Sequence, residues 1–179
     1  MTEFQQTIES GRLVFLDETG LKTNMTRLYG RAYRGARCHD TAPCGHWESL
    51  TILGSVRLDG TTESIVFEGA VDRKMFDEYI KEFLAPTLRP GDIVIMDNLK
   101  THKSELAKQI VAARQASILF LPAYSPDLNP IEKMWSKIKQ ILRGIKARTN
   151  EDLLASVGKA LDRVSAADAK GWFTSCRYI

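Results

Sequence analysis

Apolar residues fall along this chain in short runs near its start and in wider periodic sets farther on. Arg12-Leu-Val-Phe-Leu16 is an apolar run that stops at Asp17, and it reads as a buried strand ending at that acid. Residues 21–46 are polar, basic and glycine-containing, which predicts loop with short strand pieces. Ser49 to Arg57 is rich in β-branched residues, Leu58-Asp-Gly-Thr61 carries a turn signal, and Ser64-Ile-Val-Phe67 follows. An antiparallel hairpin is expected there. From Asp72 the period lengthens. Met75, Phe76, Tyr79, Ile80, Phe83 and Leu84 trace one face of a helix capped by Asp72 and ended near Pro86. Ile93-Val-Ile-Met96 is a fully apolar strand that runs into Asp97. Ser104 to Arg114 predicts a helix, Ser117-Ile-Leu-Phe-Leu121 another buried strand, and Pro122 to Pro130 a loop with three prolines. Helices are expected from Pro130 to about Arg143, from Glu151 to Val164, and near Ala166–Phe173. The order predicts an α/β fold, a mixed sheet with an antiparallel hairpin, then parallel strands, flanked by helices.

Composition narrows the class without naming it. The chain has 179 residues, 44% apolar and 26% charged, which suits one domain with a real core. We expect a single domain over 1–179. No apolar run reaches the ~20 residues of a membrane-spanning helix, so no membrane partner is expected. Met1 to Gln6 lacks the basic-then-apolar pattern of a secretion signal. Three widely spaced cysteines point to a reducing cytoplasm. The formal net charge is only +3, but its distribution is uneven. Leu21 to His39 carries Lys22, Arg27, Arg31, Arg34 and Arg37 with no acid, and Lys133 to Arg148 carries Lys133, Lys137, Lys139, Arg143, Lys146 and Arg148 with none. Such segments suit a polyanion and equally suit solvated surface.

Three acids stand in special places. Asp17 and Asp97 each follow a buried apolar strand, where open α/β sheets bind ligands; turns and helix caps favour Asp as well. On the wheel of the Pro130 helix, Ile131, Met134, Trp135, Ile138, Ile141 and Leu142 form the apolar stripe, and Glu132 lies at its border. Asn129, Pro130 and Glu132 also fit a capping box, in which Glu132 would reach back to the Asn129 amide. Carboxylates gathered in one place repel unless a cation lies between them. Mg²⁺ and Mn²⁺ take oxygen ligands, and phosphoryl-transfer sites often hold two such ions.

Phe15-Leu-Asp-Glu-Thr-Gly20, Ile95-Met-Asp-Asn-Leu-Lys-Thr-His102 and Leu121-Pro-Ala-Tyr-Ser-Pro-Asp-Leu-Asn-Pro-Ile-Glu-Lys-Met-Trp135 closely resemble the DDE transposases, in particular the bacterial insertion-sequence branch of the Tc/mariner superfamily. Asp97 and Glu132 are 35 positions apart, a spacing typical of that superfamily. The resemblance runs from about Arg12 to at least Arg143. It implies a ribonuclease-H-like fold and divalent-metal-dependent DNA cleavage and strand transfer at element ends. Asp17, Asp97 and Glu132 would be the catalytic metal ligands, for two Mg²⁺ or Mn²⁺ ions. Asn98 and His102 lie near the second Asp and could touch metal or phosphate; loop hydrogen bonding is the plainer alternative for both, and the one expected for His102. DNA would be the partner, met by Arg31, Arg34, Lys139, Arg143, Lys146 and Arg148. A homodimer would form the active complex, and a bacterial, nucleoid-associated location is implied. Only sixteen residues precede Asp17, so the helix-turn-helix region usual in this branch is expected to be absent, through truncation or a gene split into two reading frames with a separate DNA-reading chain.

Other signals are weaker. Cys38, His39, Cys44 and His46 cluster near Trp47, but zinc sites usually show paired two-residue gaps, so a sheet-edge loop is expected. Tyr29 and Tyr33 alternate with arginines, an arrangement that suits base stacking or packing on the sheet. Trp135 and Trp172 are expected in the core. No phosphate-binding glycine loop or serine-nucleophile elbow is present. Two competing functions remain: a non-catalytic remnant that binds DNA or oligomerises, and a haloacid-dehalogenase-like phosphatase, whose D-x-D run is replaced here by Asp17-Glu18-Thr19.

Overall fold

Backbone pairing sets the frame. The computed structural model describes residues 9–123 and 125–179; Met1 to Gln6, discussed above for a secretion signal, and Tyr124 lie outside them. Five strands form one sheet: β1 (Leu13–Lys22), β2 (Ser49–Arg57), β3 (Thr62–Glu68), β4 (Ile93–Met96) and β5 (Ser117–Phe120), in the order β3-β2-β1-β4-β5. β1, β2 and β3 pair antiparallel, whereas β1–β4 and β4–β5 pair parallel, as the hairpin and the lone apolar runs predict. The helices are α1 (Arg73–Tyr79), α2 (Glu105–Ala113), α3 (Pro130–Ile145), α4 (Asn150–Leu161) and α5 (Ala166–Ser175). Asp72 and Ser104 cap α1 and α2 by accepting from the Met75 and Ala107 amides. After Tyr79 the α1 helix widens into a π turn over Ile80–Leu84 and closes in a 3₁₀ turn over Ala85–Thr87, where Pro86 prevents further helix.

Alternation along β1 divides the interior into two cores. Leu13, Phe15 and Leu21 face α3, α4 and α5, together with Trp135, Ile138 and Phe173. Val14 and Leu16 face α1 and α2, together with Phe76, Tyr79 and Val111. The result is a three-layer α/β/α arrangement. Trp135 is buried, and Trp172 packs against the same core.

Two local expectations are corrected. β1 does not end at Leu16. It continues through Asp17 to Lys22 because the Glu18–Lys22 half still pairs with Ser49–Leu53 of β2, and backbone hydrogen bonds are indifferent to side-chain polarity. Asp17 is therefore a mid-strand residue. Residues 25–48 contain no strand pieces; after the turn at Thr23 they form an exposed loop between β1 and β2.

Gly54 lies opposite Asp17 in the β1–β2 ladder. A Cβ there would stand 2.4 Å from Ser64 Oγ, 3.0 Å from Trp135 Cη2 and 3.2 Å from the Glu63 carbonyl. The serine hydroxyl can turn away; the indole and the carbonyl cannot. The missing side chain thus lets α3 settle against the sheet beside Asp17. Gly54→Ala is expected to lower stability by about 1–3 kcal/mol through overpacking, measured by urea denaturation. An unchanged midpoint would show that this close approach is not needed.

Candidate active site

Two parallel strands bring the first two acids together. The β1–β4 register pairs Phe15 with Ile95. Two residues farther along each strand come Asp17 and Asp97, on the same face of the sheet because side chains alternate. Glu132 arrives from the first turn of α3, which crosses that face. One cleft of about 430 Å³ is lined by all three acids, by Asn98 and Asn129, and by Pro122, Ala123, Ser125 and Pro126. Asp17 is buried, Asp97 half-buried and Glu132 exposed. The cleft opens where the β1–β4 ladder ends, since β1 continues beyond it paired only with β2.

The capping box expected at Asn129 is not formed. Asn129 stands at the N-cap, but its side chain makes no capping hydrogen bond. Its Nδ2 instead lies 3.5 Å from Asp17 Oδ2, and its Oδ1 is buried with no hydrogen-bond partner among the described residues. A side chain well suited to close the helix has turned into the cleft. The other Asp17 oxygen, Oδ1, accepts from the Glu18 amide at 2.9 Å.

Electrostatics follow from this crowding. Burial pushes the Asp17 carboxyl up to about 7, Glu132 and Glu18 push the same way, the Glu18 amide opposes, and Asp97 adds to the rise. A divalent cation would relieve both the desolvation and the repulsion. The donor set is all oxygen, three carboxylates with the unpartnered Asn129 amide oxygen beside them, which fits Mg²⁺ or Mn²⁺. Among the described residues no three carboxylate, imidazole or thiol groups are already closed into a cage. Asp17 is fixed by its strand, and Asp97 is met at Oδ1 by the Leu99 amide and the His102 ring; the exposed Glu132 has room to turn.

Sequence reasoning missed Glu18; the hydrogen bonding expected of His102 forms in its turn and reaches this carboxylate as well. His102 is fully buried and stacks on Phe76 of α1, with ring centroids 4.7 Å apart. Its Nδ1 lies 2.6 Å from Asp97 Oδ1, and its Nε2 lies 3.1 Å from Glu18 Oε2. Burial alone would lower the imidazole, but the close Asp97 and Glu18 carboxylates outweigh it and raise the ring to about 9. The available signal was alternation: Glu18 follows Asp17 and so faces the α1–α2 side, where His102 packs.

The basic residues occupy varied settings. Lys139 and Arg143 lie on α3, seven and eleven residues past Glu132. Burial lowers the Lys139 ammonium, while nearby Glu132 and Asp17 oppose and Arg143 reinforces that shift. Arg143 lines a second cavity of about 630 Å³ with Arg27, Tyr29 and Arg163. Arg31 and Arg34 are exposed on the long loop. Lys146, in the left-handed cap of α3, pairs with Asp40. Arg148 Nη1 donates to the carbonyls of Thr23 and Met25 at 2.8 and 3.0 Å, tying the loop to the region after α3. Tyr29 and Tyr33 are about nine-tenths exposed and do not pack on the sheet. Cys38 and Cys44 are exposed free thiols on the same loop.

Residues 12–154 match the model of the DDE superfamily endonuclease family. The chain belongs to that family. Among its relatives are the transposases of two transposable elements. One is the Tcb1 transposase of Caenorhabditis briggsae, 28% identical over 96 residues, covering 51% of this chain and 35% of that protein. The other is the Tc1 transposase of Caenorhabditis elegans, 30% identical over 73 residues, covering 41% and 27%. The fold matches the Mos1 strand transfer complex with a TM-score of 0.72 at 14% identity, over 98% of this chain and 54% of that one. It also matches the Mos1 paired-end complexes with Mg (TM-score 0.69, 16% identity, 99% and 56%) and with Mn (0.63, 18%, 99% and 56%). The family match and this fold bear out the ribonuclease-H-like expectation. The matched stretches span about a third of the transposable-element relatives, and the chain spans a little over half of each Mos1 chain. No helix among the described residues is long and apolar enough to cross a membrane.

A carboxyl raised in the folded state holds its proton more readily there than in the unfolded chain. The cost of ionising Asp17 in place is therefore absent below about pH 4, grows as pH rises towards about 7, and then stays constant. Asp17→Asn removes that cost. In metal-free buffer it should stabilise the protein at pH 8, by roughly 4 kcal/mol at most, and change little at pH 4. Thermal melts at the two pH values check this; a variant no more stable at pH 8 would show that Asp17 is not electrostatically burdened.

Proposed function

We propose that this chain is the catalytic domain of a DNA transposase, cleaving DNA at element ends and transferring the strand with divalent metal. The single observation that carries this is the common cleft of Asp17, Asp97 and Glu132 in a chain of the DDE endonuclease family. The relatives' names and the DNA complexes of the fold neighbours support the substrate. We read residues 9–179 as one catalytic domain. Pairing of two ends by a homodimer, and recognition of end sequences by a helix-turn-helix segment or separate chain, belong to the same proposal.

Asp17, Asp97 and Glu132 would hold Mg²⁺ or Mn²⁺, two ions in the full site. When bound, the metal supplies Lewis-acid stabilisation of the phosphodiester oxygens and activation of an attacking water or 3′-hydroxyl. The protein's own residues do the rest. Asp17, fixed in mid-strand, gives a rigid reference point. Asn129 directs its amide towards that carboxylate and keeps an acceptor oxygen in the cleft. Glu132, exposed on the first turn of α3, adapts to what enters. Lys139 and Arg143 extend along α3, Arg143 roughly 16 Å from Glu132 along the helix axis, a span of a few backbone phosphates. With Arg31 and Arg34 they form the proposed DNA-holding set; Lys146 would first have to leave Asp40, and Arg148 serves the set by holding the loop that carries Arg31 and Arg34.

Asp97→Asn should reduce Mn²⁺- or Mg²⁺-dependent nicking of element-end DNA by more than about 100-fold, with the melting behaviour of a folded protein. An unchanged nicking rate rejects the proposed chemistry; a protein that shifts DNA without binding metal is instead the non-catalytic remnant. Replacing Lys139 and Arg143 together by Ala should reduce the slope of log K against log salt by about 2 if each meets a phosphate. An unaltered slope places the DNA elsewhere on the surface.

A further inference from the structure

We propose that His102 and Glu18 together act as the positioning pair for Asp97, clamping one oxygen of that carboxylate so that the other is presented to a divalent cation. This rests on the cleft holding a cation, as proposed above.

Asp97 sits just beyond β4, where strand pairing no longer fixes it. Two groups hold its carboxyl, both at Oδ1. The Leu99 amide donates at 3.3 Å, a long bond, and His102 Nδ1 lies at 2.6 Å as a close ion-pair contact without hydrogen-bond alignment, which a small turn of the carboxylate would supply. Oδ2 has no partner among the described residues. His102 is thus the principal restraint on the orientation of this carboxylate.

His102 is itself held at three points, two on the ring and one on the backbone. Its plane stacks on Phe76, inclined by 29°. Its far nitrogen meets Glu18 Oε2 at 3.1 Å. It also closes the turn after β4, its amide donating to the Leu99 carbonyl at 3.2 Å. Glu18 is carried by the central strand, one residue from Asp17 and on the opposite face. The chain Glu18–His102–Asp97 therefore passes from one face of the sheet to the other around the end of β4. It ties the second acid to the same strand that fixes the first. Ligating carboxylates are commonly oriented by such outer hydrogen bonds, and losing one typically costs 10–100-fold in metal affinity.

Two substitutions separate positioning from simple packing. The amide nitrogen of Asn occupies roughly the place of Nδ1, that of Gln the place of Nε2. His102→Asn keeps the donor to Asp97 and loses the one to Glu18; His102→Gln does the reverse. Mn²⁺ binding to the whole purified chain, read by calorimetry and by electron paramagnetic resonance, is expected to weaken by about 10–100-fold in His102→Gln. In His102→Asn, which keeps the donor to Asp97 and loses only the support of Glu18, it should weaken severalfold at most, as in the Glu18 variant. Thermal midpoints are expected to fall similarly in both, since each loses the ring stacked on Phe76. Equal affinities in the two variants, weakened or not, overturn the proposal. Glu18→Gln, on a half-buried strand residue, leaves the fold intact whatever the His102 variants do. It should weaken Mn²⁺ severalfold, and unchanged affinity there also overturns the proposal. Asp97→Asn is the control: loss of Mn²⁺ there with normal binding in His102→Gln rejects the positioning pair alone, whereas normal Mn²⁺ binding in Asp97→Asn rejects the cation site and the pair with it.

Discussion

Asp17 is a carboxylate buried in the middle of a strand, with Asp97, Glu132 and Glu18 all acting on it. Like charges in a half-dry cleft repel, and burial strips the water that would screen them. The sheet holds Asp17 there nevertheless, because its place is set by backbone hydrogen bonds to β2 and by the parallel register with β4. The two hydrophobic cores on either face supply the favourable burial that offsets this local cost. A cleft arranged this way is unfavourable when empty of cations and is relieved by binding them.

The surrounding residues make sense as consequences of that constraint. Gly54 lets α3 approach the strand so that Glu132 can join the cleft. Asn129 gives up its capping bond and turns to Asp17. His102 sits between two carboxylates, Asp97 and Glu18, which raise its imidazole against the effect of its own burial. Away from the cleft, Arg148 spends its guanidinium on the carbonyls of the β1–β2 loop, so one basic residue of the α3 region also shapes the path of that loop.

Much of this was legible in the chain itself. The hairpin, the cap at Asp72 and the α3 stripe follow from local period and turn chemistry, and each forms where expected. The fixed gap between Asp97 and Glu132 and the runs around them pointed to the family. What stayed hidden depends on distant partners. The extension of β1 past Asp17 needs β2, which begins 32 residues after that acid. The choice of Asn129 between cap and carboxylate is settled by a contact 112 residues away in sequence. Glu18 and His102 are 84 residues apart, and only the three-layer packing brings them together. Local pattern cannot carry such information, whereas a strand's alternation does say which face each residue takes.

The central claim is that the sheet gathers Asp17, Asp97 and Glu132 to hold divalent cations. The most direct measurement is an anomalous-difference map from crystals grown with Mn²⁺. The account predicts a manganese peak in the cleft, bounded by oxygens of Asp17, Asp97 and Glu132. An ordered cleft free of manganese while the ion occupies another part of the protein would contradict it.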